Sequence, residues 1–273
     1  MKNSNQTFRN IVIGNTSQLS YYFPNEYVKV SSRNIEEKIY TKNNWNNVFI
    51  CLGESRKYIE NIEIYDQVNF HLTLDIINKF KSISNKIVIY STCELWNKYD
   101  GRIDLSMKPN FYETPYLNSK YRIYDYIIKN KEEFKNVVIL FPFNFNSIYR
   151  DNNFLFGKVF NSIINKNKID IGDTYFYRDL IHPKFVVKKS IEQSEHTIIG
   201  SGRLTFVNDF IRDIYDNFEL SYEDFVIENK NKYNEYEIKK EYYLKSDTCF
   251  YPYKELLNDT IQDLKIKLKN LKK

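Results

Sequence analysis

The chain has 273 residues, 42% of them apolar and 17% aromatic, which is enough for a sizeable globular core and argues against disorder. Its net charge of +5 arises from Lys and Arg interleaved with acids, the pattern of a solvated surface rather than of a nucleic-acid footprint. No apolar run approaches the roughly 18 residues of a membrane span, so a soluble, cytoplasmic protein is expected.

In chain order, Asn10-Ile11-Val12-Ile13 is a short apolar run ending at Gly14, the pattern of a buried first strand. Residues 27–30 predict a second strand, and residues 47–52 a third that ends at Gly53. Val68, Leu72, Ile76, Ile77 and Phe80 recur at helical spacing before a strand over 86–90. Residues 116–129 read as a helix with Tyr124, Ile127 and Ile128 on one side, and 137–140 as another buried strand. After Phe141 the regularity loosens. Residues 196–200 are expected to return to the main sheet, and 205–218 to form a helix capped by Thr205. A last helix over about 253–271 carries an apolar stripe of Leu257, Ile261, Leu264, Leu268 and Leu271. Packing onto its own domain is favoured over a coiled-coil seam, because the stripe is under three heptads long.

Alternating apolar strands and amphipathic helices predict an α/β fold with a doubly wound parallel sheet covered on both faces. The expected division is a nucleotide-binding domain over 1–140 and a smaller, interwoven C-terminal lobe over 141–273. About 180–200 of that lobe should rejoin the first domain. Cys51, Cys93 and Cys249 are odd in number and widely spaced, which speaks against a disulfide framework. His71, His182 and His196 have no metal-ligand spacing with them, so no metal is expected.

The segments that carry chemistry lie close together. The run Ile87-Val88-Ile89-Tyr90 leads into Ser91-Thr92-Cys93-Glu94-Leu95-Trp96, and Pro115-Tyr116-Leu117-Asn118-Ser119-Lys120 follows about two dozen residues later. With 24 Tyr in so lysine-rich a chain, about three Tyr-x-x-x-Lys pairs are expected by chance. Tyr116/Lys120 and Tyr236/Lys240 occur, and only the first follows a strand, a hydroxyl and a Pro-marked helix start. Four residues apart on one helical face, Lys120 can favour the phenolate of Tyr116 and tune it as a general acid/base. Thr92, at the mouth of the strand, can hold a substrate carbonyl or hydroxyl against it. Such a trio suits hydride transfer to or from a carbonyl with a bound nicotinamide.

The chain resembles the extended short-chain dehydrogenase/reductase family, in its nucleotide-sugar epimerase, dehydratase and reductase branch. The segments at 91–96 and 115–120 are similar to that family's Ser-Thr/Ser-x-x-Val-Tyr and Pro-Tyr-x-x-Ser-Lys. Val68-Asn69 resembles the Asn that opens its fourth helix, and Pro142-Phe143-Asn144 its Pro-x-Asn. Gly172-Asp173 with Arg178-Asp179-Leu180-Ile181-His182 resembles its Gly-x…Arg-Asp-Phe-Ile-His, and Gly200-Ser201-Gly202 its Gly-x-Gly. The resemblance implies a Rossmann-like fold with cofactor contacts from Gly14, Ser17, Ser32, Arg33, Leu52, Gly53, Asn69, Tyr116 and Lys120. It also implies substrate contacts from Cys93, Asn144, Arg150 and Arg178.

Several residues depart from that pattern. One glycine, Gly14, stands where three are expected, with Ser17 and Ser20 in the other places. The second strand ends in Ser31-Ser32-Arg33 instead of an acid, which favours NADP, with NAD as the alternative. Phe141 replaces an expected Arg, and the Asp expected two residues after His182-Pro183 is missing.

Glu94 resembles the proton-abstracting Glu of the dehydratases, yet the chain has little length after Asp179 for a lid that would seal such a reaction from water. The expected activity is therefore reduction at C4 of a nucleoside-diphosphate sugar, or epimerisation through a ketone, in the making of surface polysaccharide sugars. A 4,6-dehydratase with Glu94 as base is the first alternative, and a catalytically silent nucleotide-binding protein the second. A homodimer is left open, and no nucleic-acid partner is expected.

Overall fold

The structure is a computed structural model that describes residues 9–33, 35–41, 44–56, 59–110, 114–229, 240–248 and 250–271. Tyr236 and Cys249 therefore lie outside the described residues. The chain divides into two compact units. The first comprises Met1–Lys98, Lys108–Pro142 and Val187–Ile198, and the second Tyr99–Met107, Phe143–Val186 and Ile199–Lys273.

The first unit is built on a six-stranded sheet. Its strands β1 (Arg9–Ile13), β2 (Val28–Val30), β3 (Trp45–Ile50) and β4 (Ser84–Tyr90) are joined by Val137–Pro142 and Thr197–Ile199. Across the sheet the order is Thr197–Ile199, Val137–Pro142, β4, β3, β1, β2. β1 runs parallel to β2 and β3, β3 to β4, and β4 to Val137–Pro142. Ile11, Val12 and Ile13, Val48 and Phe49, and Ile87 and Val88 are all fully enclosed. A sheet covered on both faces needs such near-continuous apolar runs, which is why these strands do not alternate in polarity.

One feature of this sheet departs from the commoner dinucleotide order, in which three successive strands lie on one side of the switch point. Here the chain crosses after β2, so among the described residues β2 alone lies outboard of β1. The connection from β1 to β2 is also short. It contains a single 3-10 turn, Leu19–Tyr22, followed by Phe23 in an extended conformation (φ −72°, ψ 148°) and Pro24. Proline cannot donate to a helical ladder and pushes the preceding residue out of the α region, so a helix begun at Ser17 could not run beyond two turns.

Two helical segments flank the sheet. The run from Glu63 to Phe80 is α-helical at both ends and π-helical over Gln67–Leu72. Asn69 thus sits inside a helix, in a widened turn, and does not open one. Helix Pro115–Lys129 begins where Thr114 caps it, its Oγ1 accepting from the Leu117 amide, with Pro115 in the first turn. This helix buries Leu117, Lys120, Ile123 and Ile127, whereas Ile128, expected on the apolar side, is 39% exposed.

The second unit combines short strand pairs with three longer helices. Gly101–Ile103 pairs with Tyr242–Leu244, Asn144–Phe145 with Leu180–Ile181, Ile169–Gly172 with Val226–Asn229, and Tyr177–Arg178 with Thr205–Phe206. Thr205 is therefore a strand residue and not a helix cap, and the helix starts later, spanning Val207–Asp216. Asp179 ties several of these pieces together. Its enclosed carboxylate accepts from the Ser201 amide and hydroxyl, the Gly202 amide and the Leu244 amide. Burial outweighs those donors and pushes its pKa up to about 6. The last helix, Tyr253–Leu271, packs against Leu155–Asn165 and Val207–Asp216 within the same unit. Its buried residues are Leu256, Thr260, Ile261 and Leu264, while Leu271 is 63% exposed, so the seam is turned by about one residue from the apolar stripe. Among the described residues, no helix is long and apolar enough to cross a membrane.

Candidate functional site

The C-terminal ends of β1, β3 and β4 meet around Gly14, Gly53 and Lys120. Gly14 has φ +100°, and a Cβ there would lie 2.5 Å from the Cys51 carbonyl oxygen. Only glycine allows β1 and β3 to approach this closely where the strand order reverses, the position at which ligands bind in open α/β sheets. Cys51, Leu52 and Gly53 follow directly after β3. A Cβ on Gly53 would lie 3.0 Å from Lys120 Nζ and 3.4 Å from Asn69 Oδ1.

Lys120 is 6% exposed, and its Nζ donates to the Tyr90 carbonyl oxygen at 2.9 Å. Burial pushes its pKa down to about 8. Tyr116 lies one turn earlier on the same helix, half-buried, with its ring edge-on to Tyr65 at 6.2 Å. Asn69 is fully enclosed and clasps three groups. Its Oδ1 accepts from the Glu54 amide, while its Nδ2 donates to the Glu54 carbonyl and to Ser119 Oγ. Ser119 in turn donates to the Tyr116 carbonyl. The widened turn thereby links the loop after β3 to the first turn of the helix that carries Tyr116 and Lys120. Ser119 was not among the residues singled out in the sequence. Its only signal there is its place inside the Tyr-x-x-x-Lys run.

Thr92 caps the short 3-10 helix Cys93–Trp96, its Oγ1 accepting from the Glu94 amide at 3.2 Å. As an acceptor in that bond, the hydroxyl keeps its own proton for donation to another group. Glu94 is half-buried in the first turn of the same helix. Cys93 is 1% exposed and its side chain belongs to the interior, so its placement gives the expected substrate contact no support. Phe141, where an arginine was expected, packs edge-on against Trp96 at 5.1 Å and Tyr124 at 5.4 Å. An aromatic joint thus braces the Thr92–Trp96 segment against the helix bearing Tyr116.

Near β2, Ser32 is partly exposed and Arg33 exposed, with the Arg33 amide donating to Ser31 Oγ. In the loop after β1, neither Ser17 nor Ser20 has positive φ, so serine costs no backbone strain at either place. Ser20 is buried and its hydroxyl donates to the Asn15 carbonyl.

The remaining expected contacts lie in the second unit. Asn144 is exposed on its strand. The Arg150 guanidinium lies 3.9 Å from the Phe154 ring centre. Arg178 stacks on Phe176 at 4.5 Å and donates to the Lys240 carbonyl. A cavity of about 450 Å³ in this unit is lined by Arg203, Thr205, Arg212, Asp213 and Tyr253 among others, and contains none of the expected site residues. No cluster able to hold a metal ion is present among the described residues.

No family profile matches the chain, and no curated protein does. Solved structures do. RMD from Pseudomonas aeruginosa, complexed with NADPH, superposes with a TM-score of 0.75 at 12% identity, covering 94% of this chain and 99% of that one. A UDP-N-acetylglucosamine 4-epimerase from Methanobrevibacter ruminantium, in complex with UDP-N-acetylmuramic acid, gives a TM-score of 0.73 at 17% identity over 95% and 99%. A dTDP-glucose 4,6-dehydratase from Bacillus anthracis, in complex with NAD, gives 0.72 at 13% over 96% and 98%. The chain shares the Rossmann-like fold of these structures along nearly its whole length.

Proposed function

We propose that the protein is a nicotinamide-dependent oxidoreductase that reduces, or epimerises through, a ketone at C4 of a nucleoside-diphosphate sugar. The observation that carries this reading is the placement of Lys120 Nζ against the C-terminal ends of β3 and β4, with Tyr116 one turn away and Thr92 just past β4. The fold's relatives include proteins solved with NADPH, NAD and a nucleotide sugar, which supports the same reading.

A nicotinamide fits this edge of the sheet. Gly14 lets β1 and β3 close on each other and Gly53 lets Lys120 and Asn69 close on the loop after β3, and Tyr116, Lys120 and the Asn69-braced loop would hold the nicotinamide half, with Arg33 and Ser32 toward the adenosine phosphate. NADP is the preferred form, because Arg33 lies three residues past β2, in the segment where an acid would select NAD. A bound dinucleotide would supply the hydride. Thr92 and Tyr116 would hold the substrate carbonyl oxygen, and the Tyr116 hydroxyl would give that oxygen its proton. The Lys120 ammonium stabilises the phenolate left behind, and water restores the lost proton. Asn144, Arg150 and Arg178 are the proposed nucleotide-sugar contacts of the second unit. The setting is cytoplasmic synthesis of surface polysaccharide sugars.

Dehydration is the second reading, favoured by Glu94, a half-buried acid two residues from the proposed carbonyl-binding hydroxyl, whose backbone amide donates to Thr92 Oγ1. Incubation with a panel of nucleotide sugars and their 4-keto forms, in parallel with NADPH and with NAD, read by mass spectrometry, separates the readings. A gain of two hydrogens marks the reductase, and an unchanged mass with altered retention the epimerase. Loss of water marks the dehydratase. No change with any member, despite nucleotide binding, would leave a silent binding protein.

A further inference from the structure

In a doubly wound dinucleotide fold, the first strand leads through a glycine-rich turn into a helix whose N-terminal amides meet the pyrophosphate. This chain lacks that helix. Residues 14–27 are turns around one four-residue 3-10 segment, closed by Pro24. Four amides of the turn are spent on the protein itself. Those of Gly14 and Asn15 donate to Val30 O, that of Ser17 to Gly14 O and that of Ser20 to Ser17 O. The Ser20 hydroxyl, in place of the last glycine, closes the turn further onto Asn15 O. Outboard of β1 only β2 is present among the described residues, so the wall for an adenosine is also shorter than a three-stranded half provides.

The other half of the cradle is built differently. Lys120 is buried and anchored to Tyr90 O, and Asn69 fixes the loop after β3 through two bonds to Glu54 and one to Ser119. The nicotinamide end is therefore rigid, while the adenosine-diphosphate end is pared down.

We infer that the chain grips its dinucleotide chiefly by the nicotinamide half, and that the cofactor exchanges at every turnover as a co-substrate instead of staying resident. The inference rests on the proposed function and narrows it. A reaction that takes hydride from a sugar and returns it to the same sugar needs one cofactor retained through both halves. A net reduction needs none retained: one reduced nicotinamide enters, its hydride goes to the ketone carbon, Tyr116 gives the oxygen its proton, and the oxidised cofactor leaves.

The test uses the full-length protein. After gel filtration, its nucleotide content is read by absorbance of the denatured supernatant. NADPH binding and release are then followed by nicotinamide fluorescence, with reduced nicotinamide mononucleotide as the probe that lacks the adenosine half. Fewer than about one chain in ten should carry nucleotide, the oxidised dinucleotide, displaced by NADPH, should dissociate at least as fast as the enzyme turns over, and the mononucleotide should bind within roughly ten-fold of NADPH. Stoichiometric nucleotide that survives gel filtration and leaves more slowly than turnover would overturn the inference while leaving the proposed function intact. An absence of any fluorescence or thermal response to millimolar NADPH and NADH would overturn both.

Discussion

Lys120 Nζ donates to the carbonyl oxygen of Tyr90 at 2.9 Å, so the one buried ammonium of the site is tethered to the last residue of β4. The tether fixes where the charge sits, and burial fixes how weakly it is held, with a pKa of about 8. Both matter for Tyr116, whose phenolate that charge would stabilise.

Tyr116→Phe removes the proposed proton donor while keeping the ring that packs on Tyr65. Turnover should fall by about 10²-fold or more, the usual scale of a lost general acid, with the melting temperature little changed. Near-normal turnover would remove the proposed chemistry.

The lowered pKa of Lys120 has a pH signature in both activity and stability. For ketone reduction, kcat/KM should decline as pH rises through about 8, where the ammonium loses its proton in the free enzyme. Between that value and lysine's ordinary 10.5, the unfolded chain holds more protons than the folded one, so this residue makes stability rise with pH. The rise should be on the order of 3 kcal/mol across the window. In Lys120→Met, denaturant melts should show it flattened, and an identical pH slope in the variant would count against a buried ammonium.

Arg33 is exposed three residues past β2 and is the proposed contact to a ribose phosphate. NADPH should bind about five-fold more tightly than NADH, and Arg33→Ala should erase most of the difference. Titration by nicotinamide fluorescence measures both, and equal wild-type affinities would show that Arg33 does not read the phosphate.

Glu94→Gln separates the two leading reactions. A reductase needs no base beside the ketone, so the variant should keep most of its activity on a 4-keto nucleotide sugar. A dehydratase would lose product formation by orders of magnitude with cofactor binding unaffected. Carbon-bound deuterium from solvent that disappears in the variant would favour the dehydratase.

Asn69→Ala leaves the Glu54 amide and carbonyl without their partners in an enclosed site. A loss of about 2 kcal/mol or more is expected in chemical denaturation. Ser119→Ala, which removes one link of the chain to Tyr116, should cost less stability yet still lower kcat. Equal stability losses in the two variants would argue against Asn69 as the hub.

Much of the sheet was legible because strands enclosed on both faces must be apolar throughout, as at Ile87-Val88-Ile89. The last helix was legible in extent but not in orientation. Thr260 lies on its buried seam because the hydroxyl accepts from Asn146 Nδ2 and donates to Leu256 O, and a stripe counted in leucines passes over it. Thr205 misled for another reason: a hydroxyl before an apolar helical run is a good cap, but pairing with Arg178, distant in sequence, took it into a strand. Tyr116, Lys120 and Thr92 stood out by order and spacing. What Asn69 and Ser119 hold could not be read, since their partners are mostly backbone groups brought close only by the fold.

The widened turn at Gln67–Leu72 accommodates one surplus residue within an otherwise regular helix. The i→i+5 turn takes about one residue more than an α turn for the same rotation, so the surplus is absorbed where it sits and the flanking turns keep the phase of a regular helix. Deleting one of the six should close the bulge while Ile76, Ile77 and Phe80 stay on the buried face. What the deletion would remove is the local widening in which Asn69 meets Glu54 and Ser119. The extra residue is thus a local insertion that shapes one clasp and leaves the rest of the rod as it would otherwise be.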